Sequence, residues 1–224
     1  MTDDVSRETP PAPPEARGAF ASGGQDRLPL AERYAAWLAG DGVLRGLIGP
    51  RETPRLWERH LLNCAVLADA VPEGATVCDL GSGAGLPGLV LAIARPDVRV
   101  TLVEPLLRRT TFLEEVVADL GLDHCDVRRG RAEDLHGHER FDVVTSRAVA
   151  PLERLLRWSM PLVAPTGALV AMKGSSVTDE IEAARHRLRR LRCAPPEVLS
   201  LGVGTVDPPT TVVRVAWADP TQVG

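Results

Sequence analysis

The sequence predicts an α/β fold: a mostly parallel sheet covered by helices on both faces and preceded by a helical extension. Three observations carry this. Short apolar runs alternate with helical stretches from Val77 onward. The runs are apolar throughout rather than every second residue, which marks strands buried on both faces. Between the first run and the first helix of this alternation, four glycines fall within eight residues, Gly81, Gly83, Gly85 and Gly88. Glycine is costly to order, so such a cluster belongs where backbone turns tightly and approaches a ligand with no side chain in the way.

Taken in order, residues 1–27 are proline-rich, poor in apolar residues and without periodicity, and read as a disordered tail. Residues 28–72 read as a helical extension. Leu30, Tyr34, Trp37 and Leu38 recur at helical spacing within 28–48. Thr53-Pro54 reads as a cap and first-turn proline, and Leu56, Leu61, Leu62, Val66 and Leu67 give the helix that follows an apolar face. Residues 73–218 form the cofactor-binding domain. Its strands fall at 77–80, 98–103, 125–127, 141–145 and 168–172, and its helices at 86–94, 106–120, 152–162 and 177–191. The runs 198–201 and 211–217 are close in sequence and are expected to pair antiparallel, completing a seven-stranded sheet. Residues 219–224 are a terminal tail, and neither an internal repeat nor a second domain is visible.

A chain of 224 residues, 44% of them hydrophobic, can fill the core of one such domain. Its net charge of −4 gives no global basic field. Arginines do cluster locally, at Arg55 and Arg59 beside His60, at Arg128, Arg129 and Arg131, and along 185–192, which keeps an RNA partner open. Cys64, Cys78, Cys125 and Cys193 show no C-x-x-C pair, and neither they nor the five histidines have metal-ligand spacing. Buried thiols, a reducing compartment and no metal are expected. With no signal-like N-terminus and no run of eighteen apolar residues, the expectation is a soluble, cytoplasmic, monomeric protein without a membrane partner. Of the 26 basic residues only Lys173 is lysine. An ammonium is a compact point charge and a guanidinium a wide fork, so Lys173 is a candidate for work arginine cannot do.

Gly83-x-Gly85-x-x-Gly88 matches the dinucleotide fingerprint, with Glu104 spaced for a ribose hydroxyl, so an NAD-dependent oxidoreductase is one reading. That chemistry needs a tyrosine or histidine acid near the strand ends, and the only tyrosine, Tyr34, lies in the extension. The acids favour S-adenosylmethionine instead. Asp79 precedes the first glycine, where a carboxylate suits the ammonium and sulfonium of that cofactor. Glu104 ends the next strand and is placed to accept both ribose hydroxyls. Ala132 and Glu133 follow the third strand, where a backbone amide and a carboxylate would read adenine. Three acids at three successive strand ends predict a class I S-adenosylmethionine-dependent methyltransferase, with a Rossmann-like sheet.

The segment 141–150 should face the methyl group. It lacks the D/N-P-P-Y/F pattern that serves exocyclic amines, and no cysteine stands there to attack a pyrimidine carbon. Arg147 stands there instead. A cation is tolerable beside a sulfonium when the acceptor is a neutral lone pair such as guanine N7, which needs alignment rather than a base. Arg147 could then bond guanine O6 or a phosphate, with Lys173 beside it at the end of the fifth strand.

Arg59-His60-Leu61-Leu62-Asn63, Asp79-Leu80-Gly81-Ser82-Gly83-Ala84-Gly85-Leu86-Pro87-Gly88, Ser146-Arg147-Ala148 and Met172-Lys173-Gly174, in this order, resemble the RsmG (GidB) family of bacterial 16S rRNA guanine-N7 methyltransferases over residues 28–217. The resemblance implies methyl transfer to N7 of one guanine in the decoding-region loop of 16S rRNA, in the small ribosomal subunit or a precursor. It maps Gly81, Leu86, Ala132, Glu133 and Arg147 onto cofactor-contacting positions and Glu104 onto a ribose-binding acid that is usually aspartate. It also makes Arg59, His60 and Lys173 candidates for RNA contact. Asn63-Cys64 depart from the family's usual Asp-Ser. Two other readings stay open: a methyltransferase acting on a different RNA, and a ribosome-assembly factor without catalysis.

Overall fold

The structure is a computed structural model describing residues 9–147 and 149–223. It opens with helix α1 (Pro14–Ala19), a two-residue hairpin β1 (Ala21–Ser22) and β2 (Gln25–Asp26), and helix α2 (Leu28–Trp37), which runs on as a π-helical turn over Leu38–Gly42. A 3-10 turn (Pro50–Arg55), a π-helical stretch (Leu56–Leu62), the single turn α3 (Asn63–Ala65) and a 3-10 turn (Val66–Ala70) complete the extension.

Two expectations change here. The expected tail is folded where it is described: residues 1–8 lie outside the described residues, but α1 buries Ala16 and the chain then buries Phe20 completely. Phe20 stands edge-on to Trp57, with ring centroids 6.3 Å apart, and Trp57 Nε1 donates to the Pro10 carbonyl at 2.8 Å. The few apolar residues of this stretch suffice because the extension offers them a site. The second change is the helix start. Pro50, after extended Gly49, opens the turn, where the amides of a first turn are unpaired anyway, and Pro54, the expected first-turn proline, falls inside it and donates no amide there.

The sheet contains β3 (Thr76–Leu80), β4 (Arg99–Glu104), β5 (Cys125–Arg129), β6 (Phe141–Arg147), β7 (Val163–Met172), β8 (Glu197–Leu201) and β9 (Thr210–Ala216). Helices α4 (Gly88–Ala94), α5 (Leu107–Leu120), α6 (Leu152–Ser159) and α7 (Val177–Arg190) alternate with them. Seven strands lie in the order β5-β4-β3-β6-β7-β9-β8. The first five in this order pair parallel, and β9 pairs antiparallel with both β7 and β8. This is the mostly parallel, seven-stranded architecture that the apolar pattern predicts.

One core lies between the sheet, α4, α5 and the N-terminal extension, and includes Tyr34, Leu61, Leu89, Leu102 and Phe112. The other lies under α6 and α7 and includes Leu155, Leu156, Leu169 and Val213. After β5 the chain crosses back to place β6 on the other side of β3, so the crevice at the strand ends opens between β3 and β6, where the strand order switches direction, the usual place for a ligand in an open α/β sheet.

Candidate active site

A cavity of about 860 Å³ opens at the carboxyl ends of β3, β4, β5 and β6, within the range that holds a cofactor-sized ligand. Its wall brings together Gly81, Glu104, Ala132, Glu133 and Arg147 with Leu47 and Val149. Arg109, Arg131, Arg157 and Trp158 also face it.

The glycine loop is held by the chain's own carboxylates. Glu104, almost wholly buried at the end of β4, accepts from the Gly83 amide at 3.0 Å through one oxygen and from the Leu106 amide at 3.1 Å through the other. Arg109 approaches the first oxygen at 3.3 Å. A carboxylate offers about four lone-pair sites, so Glu104 keeps capacity for a ligand hydroxyl without releasing the loop. Asp79 is fully buried, and its Oδ2 accepts from the Gly88 amide, the first of α4, at 3.0 Å. Gly88 must be glycine: a Cβ there would clash with Leu102 and lie 2.7 Å from Asp79 Oδ2. At Gly81 φ is +70°, and a Cβ would stand 3.0 Å from the Val149 side chain at the cavity wall.

Not every predicted site residue reaches the cavity. Asp79 lies behind the loop and does not line it; its Oδ1 has no partner among the described residues, and burial pushes its carboxyl up to about 7. Gly83, Gly85 and Leu86 are not among the residues lining the cavity; Gly85 backs onto Leu89 and the Tyr34 hydroxyl, which donates to the Ala84 carbonyl at 2.7 Å. Lys173 follows Met172, the cross-strand partner of Arg147, but its side chain is directed to other groups. Its ammonium donates to the Ala150 carbonyl and to Glu180, both at 2.8 Å, and ties the segment after β6 to α7. Ala148, the last residue of the Ser-Arg-Ala motif, lies outside the described residues.

The extension supplies what the sequence did not reveal. His60 is buried, its Nδ1 lies 2.6 Å from the Arg147 guanidinium and its Nε2 lies 2.9 Å from Glu52. Arg59 is half-exposed and donates to the other Glu52 oxygen at 3.1 Å. Cys64 stands 3.5 Å from Arg147, although the residue order placed no cysteine at this end of the cavity. Burial pushes its thiol up to about 11, with Arg147 opposing, which disfavours the thiolate a nucleophile needs. Burial likewise holds the Cys78 thiol well above the usual thiol range and pushes Cys125 up to about 12. Glu52, Cys64 and Leu47 were invisible as site residues because they are distant in sequence from the strand ends. Only the departure at Cys64 from the family pattern marked its position.

The residues present fit S-adenosylmethionine better than a dinucleotide. A dinucleotide pyrophosphate uses the free amides of the glycine loop and helix N-terminus. Here Glu104 occupies the Gly83 amide and Asp79 the Gly88 amide, and neither glycine lines the cavity. Acids at the ends of β4 and after β5 leave acceptors for a nucleoside.

Comparisons with known proteins agree. A family profile described as rRNA small subunit methyltransferase G (GidB) matches residues 27–204. The chain is 73% identical over 223 residues to Ribosomal RNA small subunit methyltransferase G of Nocardioides sp., covering 100% of this chain and 88% of that protein. It is 58% identical over 209 residues to the protein of the same name from Streptomyces avermitilis, covering 93% and 86%. Among solved structures, a precorrin-6y C5,15-methyltransferase from Geobacter metallireducens superposes with a TM-score of 0.52 at 14% identity, covering 77% of this chain and 91% of that one. A SAM-dependent O-methyltransferase from Thermotoga maritima gives 0.52 at 15% identity, covering 70% and 65%. These last two share the fold. The chain belongs to the rRNA small subunit methyltransferase G (GidB) family and is an S-adenosylmethionine-dependent methyltransferase.

Proposed function

We propose that this chain methylates N7 of a guanine in the decoding-region loop of 16S rRNA, within the small ribosomal subunit or a precursor, as a cytoplasmic monomer. The observation that carries the choice of atom is Arg147 in the cavity wall where β6 ends, with no carboxamide–aromatic pair beside it among the described residues and its neighbouring thiol, Cys64, held protonated by burial. An exocyclic amine or a ring carbon would need such groups. A guanine N7 lone pair needs only alignment, and its alkylation leaves no proton to remove.

Sheet order separates the charges. Glu104 ends β4 and Arg147 ends β6, with β3 between them, so their backbones stand roughly 10 Å apart. The acids therefore serve the nucleoside half of the cofactor and Arg147 the reacting half. When bound, S-adenosylmethionine supplies a methyl group made electrophilic by its sulfonium. Glu104 accepts from ribose, the Ala132 amide and the Glu133 carboxylate read adenine, and Gly81 lets the backbone approach the methionine half. Arg147 carries the cationic contact at the reacting end, to the cofactor carboxylate or to guanine O6. Asp79 acts through Gly88 to set the loop, and Lys173 holds the segment that presents Val149. Arg59 remains the RNA candidate of the extension; buried His60 does not.

The test is to map N7-methylguanosine in 16S rRNA from a strain lacking this gene and from the strain complemented with it. Loss of one such nucleotide, in the decoding-region loop, and its return on complementation is the expected result. Persistence of every N7-methylguanosine would overturn the assignment, and loss from another RNA would keep the chemistry while changing the substrate.

A further inference from the structure

We propose that Glu52 and His60, both in the N-terminal extension, form a positioning pair that fixes the Arg147 guanidinium at the reacting end of the cavity. The inference rests on the reading of Arg147 given above and assigns His60 a role other than RNA contact. Arginine has only donors. At 2.6 Å from the Arg147 guanidinium, His60 Nδ1 must therefore be the acceptor. The ring proton then sits on Nε2, where Glu52 accepts it at 2.9 Å. Both neighbours demand the same neutral tautomer, and no other protonation state satisfies both. The arrangement follows the logic by which a carboxylate behind a histidine fixes which ring nitrogen is free to act.

The surroundings agree. His60 is buried on the π-helical stretch, while Arg147 ends β6 and lines the cavity. The charged and titratable groups around the pair are Glu52 and Arg55 from the preceding 3-10 turn, Arg59 beside His60, and Cys64 from α3 against Arg147. Tyr34 from α2 and Asp79 from β3 face the same region. Burial and the Arg147 charge hold His60 below the usual histidine range, with Glu52 opposing them. Burial and the Arg147 charge therefore favour the neutral ring that the two hydrogen bonds require. Once protonated, the ring offers only donors and releases the guanidinium.

Three measurements on the full chain test this. Long-range nitrogen–proton NMR at pH 7 should show His60 neutral with its proton on Nε2; the Nδ1–H tautomer or an imidazolium would overturn the proposal. The titration midpoint should move lower in Glu52→Gln, because the carboxylate favours the charged ring; an unmoved midpoint removes Glu52 from the pair. Calorimetry with S-adenosylhomocysteine between pH 8 and pH 5 reads the effect on the cavity. Affinity should fall on the acid side as His60 titrates. His60→Ala should bind about tenfold more weakly at pH 8. His60→Asn, whose amide oxygen takes the place of Nδ1 but does not titrate, should recover most of that loss and show a smaller acid-side fall than the native chain, since Asp79, pushed up to about 7, is common to both. Native affinity in His60→Ala, or an acid-side fall in His60→Asn as large as the native one, would overturn the positioning role. None of these readouts uses RNA, so they fail independently of the substrate assignment.

Discussion

At the scale of single residues, Asp79 shows how an acid can serve a site it does not touch. Its carboxyl is sealed between Gly88 and the sheet, one oxygen is bonded to an amide, and the other has no partner among the described residues. Burial first, with Glu104 adding to it, pushes the carboxyl up to about 7 from its ordinary 3.8. Between those two values the folded chain holds a proton that the unfolded chain releases. The folded state therefore binds more protons, and stability falls as pH rises through that window, by roughly 4 kcal/mol at most. Asp79→Asn keeps an oxygen for the Gly88 amide and does not titrate. Urea unfolding at pH 5 and pH 8 should show the native chain losing stability on going to pH 8 and Asp79→Asn losing much less. A native chain that gains stability relative to the variant over this interval would mean that Asp79 is comfortably ionised. The sequence marked Asp79 as an acid in the loop, but one residue string does not say on which side of the loop a side chain lies.

At the scale of elements, the N-terminal extension is part of the machine rather than an appendage. Phe20 is fully buried, edge-on to Trp57, and Trp57 shares its π-helical stretch with His60. Removing a buried aromatic ring costs about 3–5 kcal/mol, so Phe20→Ala should lower the melting temperature of the full chain by several degrees. An unchanged melting temperature would mean that residues 9–27 do not pack as described. This element was misread because it is short and rich in proline, and a stretch without periodicity gives no local sign of a docking site elsewhere. The sheet, by contrast, was legible, since strands buried on both faces announce themselves as apolar runs. Of the cavity wall, Gly81, Glu104, Ala132, Glu133 and Arg147 were legible because each follows a strand end. Lys173 also follows one, yet it turns toward Glu180, a choice made by packing between α6 and α7.

At the scale of the whole molecule, the glycine loop must decide between two cofactors, and the decision lies in which amides are still free. Glu104 and Asp79 hold the Gly83 and Gly88 amides, so a pyrophosphate would have to displace two carboxyl groups from those amides. S-adenosylmethionine carries no such group. A ligand that binds only the folded chain stabilises it by about 2.7 kcal/mol at a hundredfold excess over its dissociation constant. For a chain of 224 residues that raises the melting temperature by about 5–10 °C. S-adenosylmethionine should give this shift and NAD none. Glu104→Ala should melt lower even without ligand, because the Gly83 and Leu106 amides lose their acceptor, and the further rise on adding S-adenosylmethionine should shrink. A full rise in Glu104→Ala would remove Glu104 from the cofactor site while leaving its hold on the loop. An equal rise with NAD would mean that the loop opens, and that the two carboxylates guard the cavity less firmly than their bonds indicate.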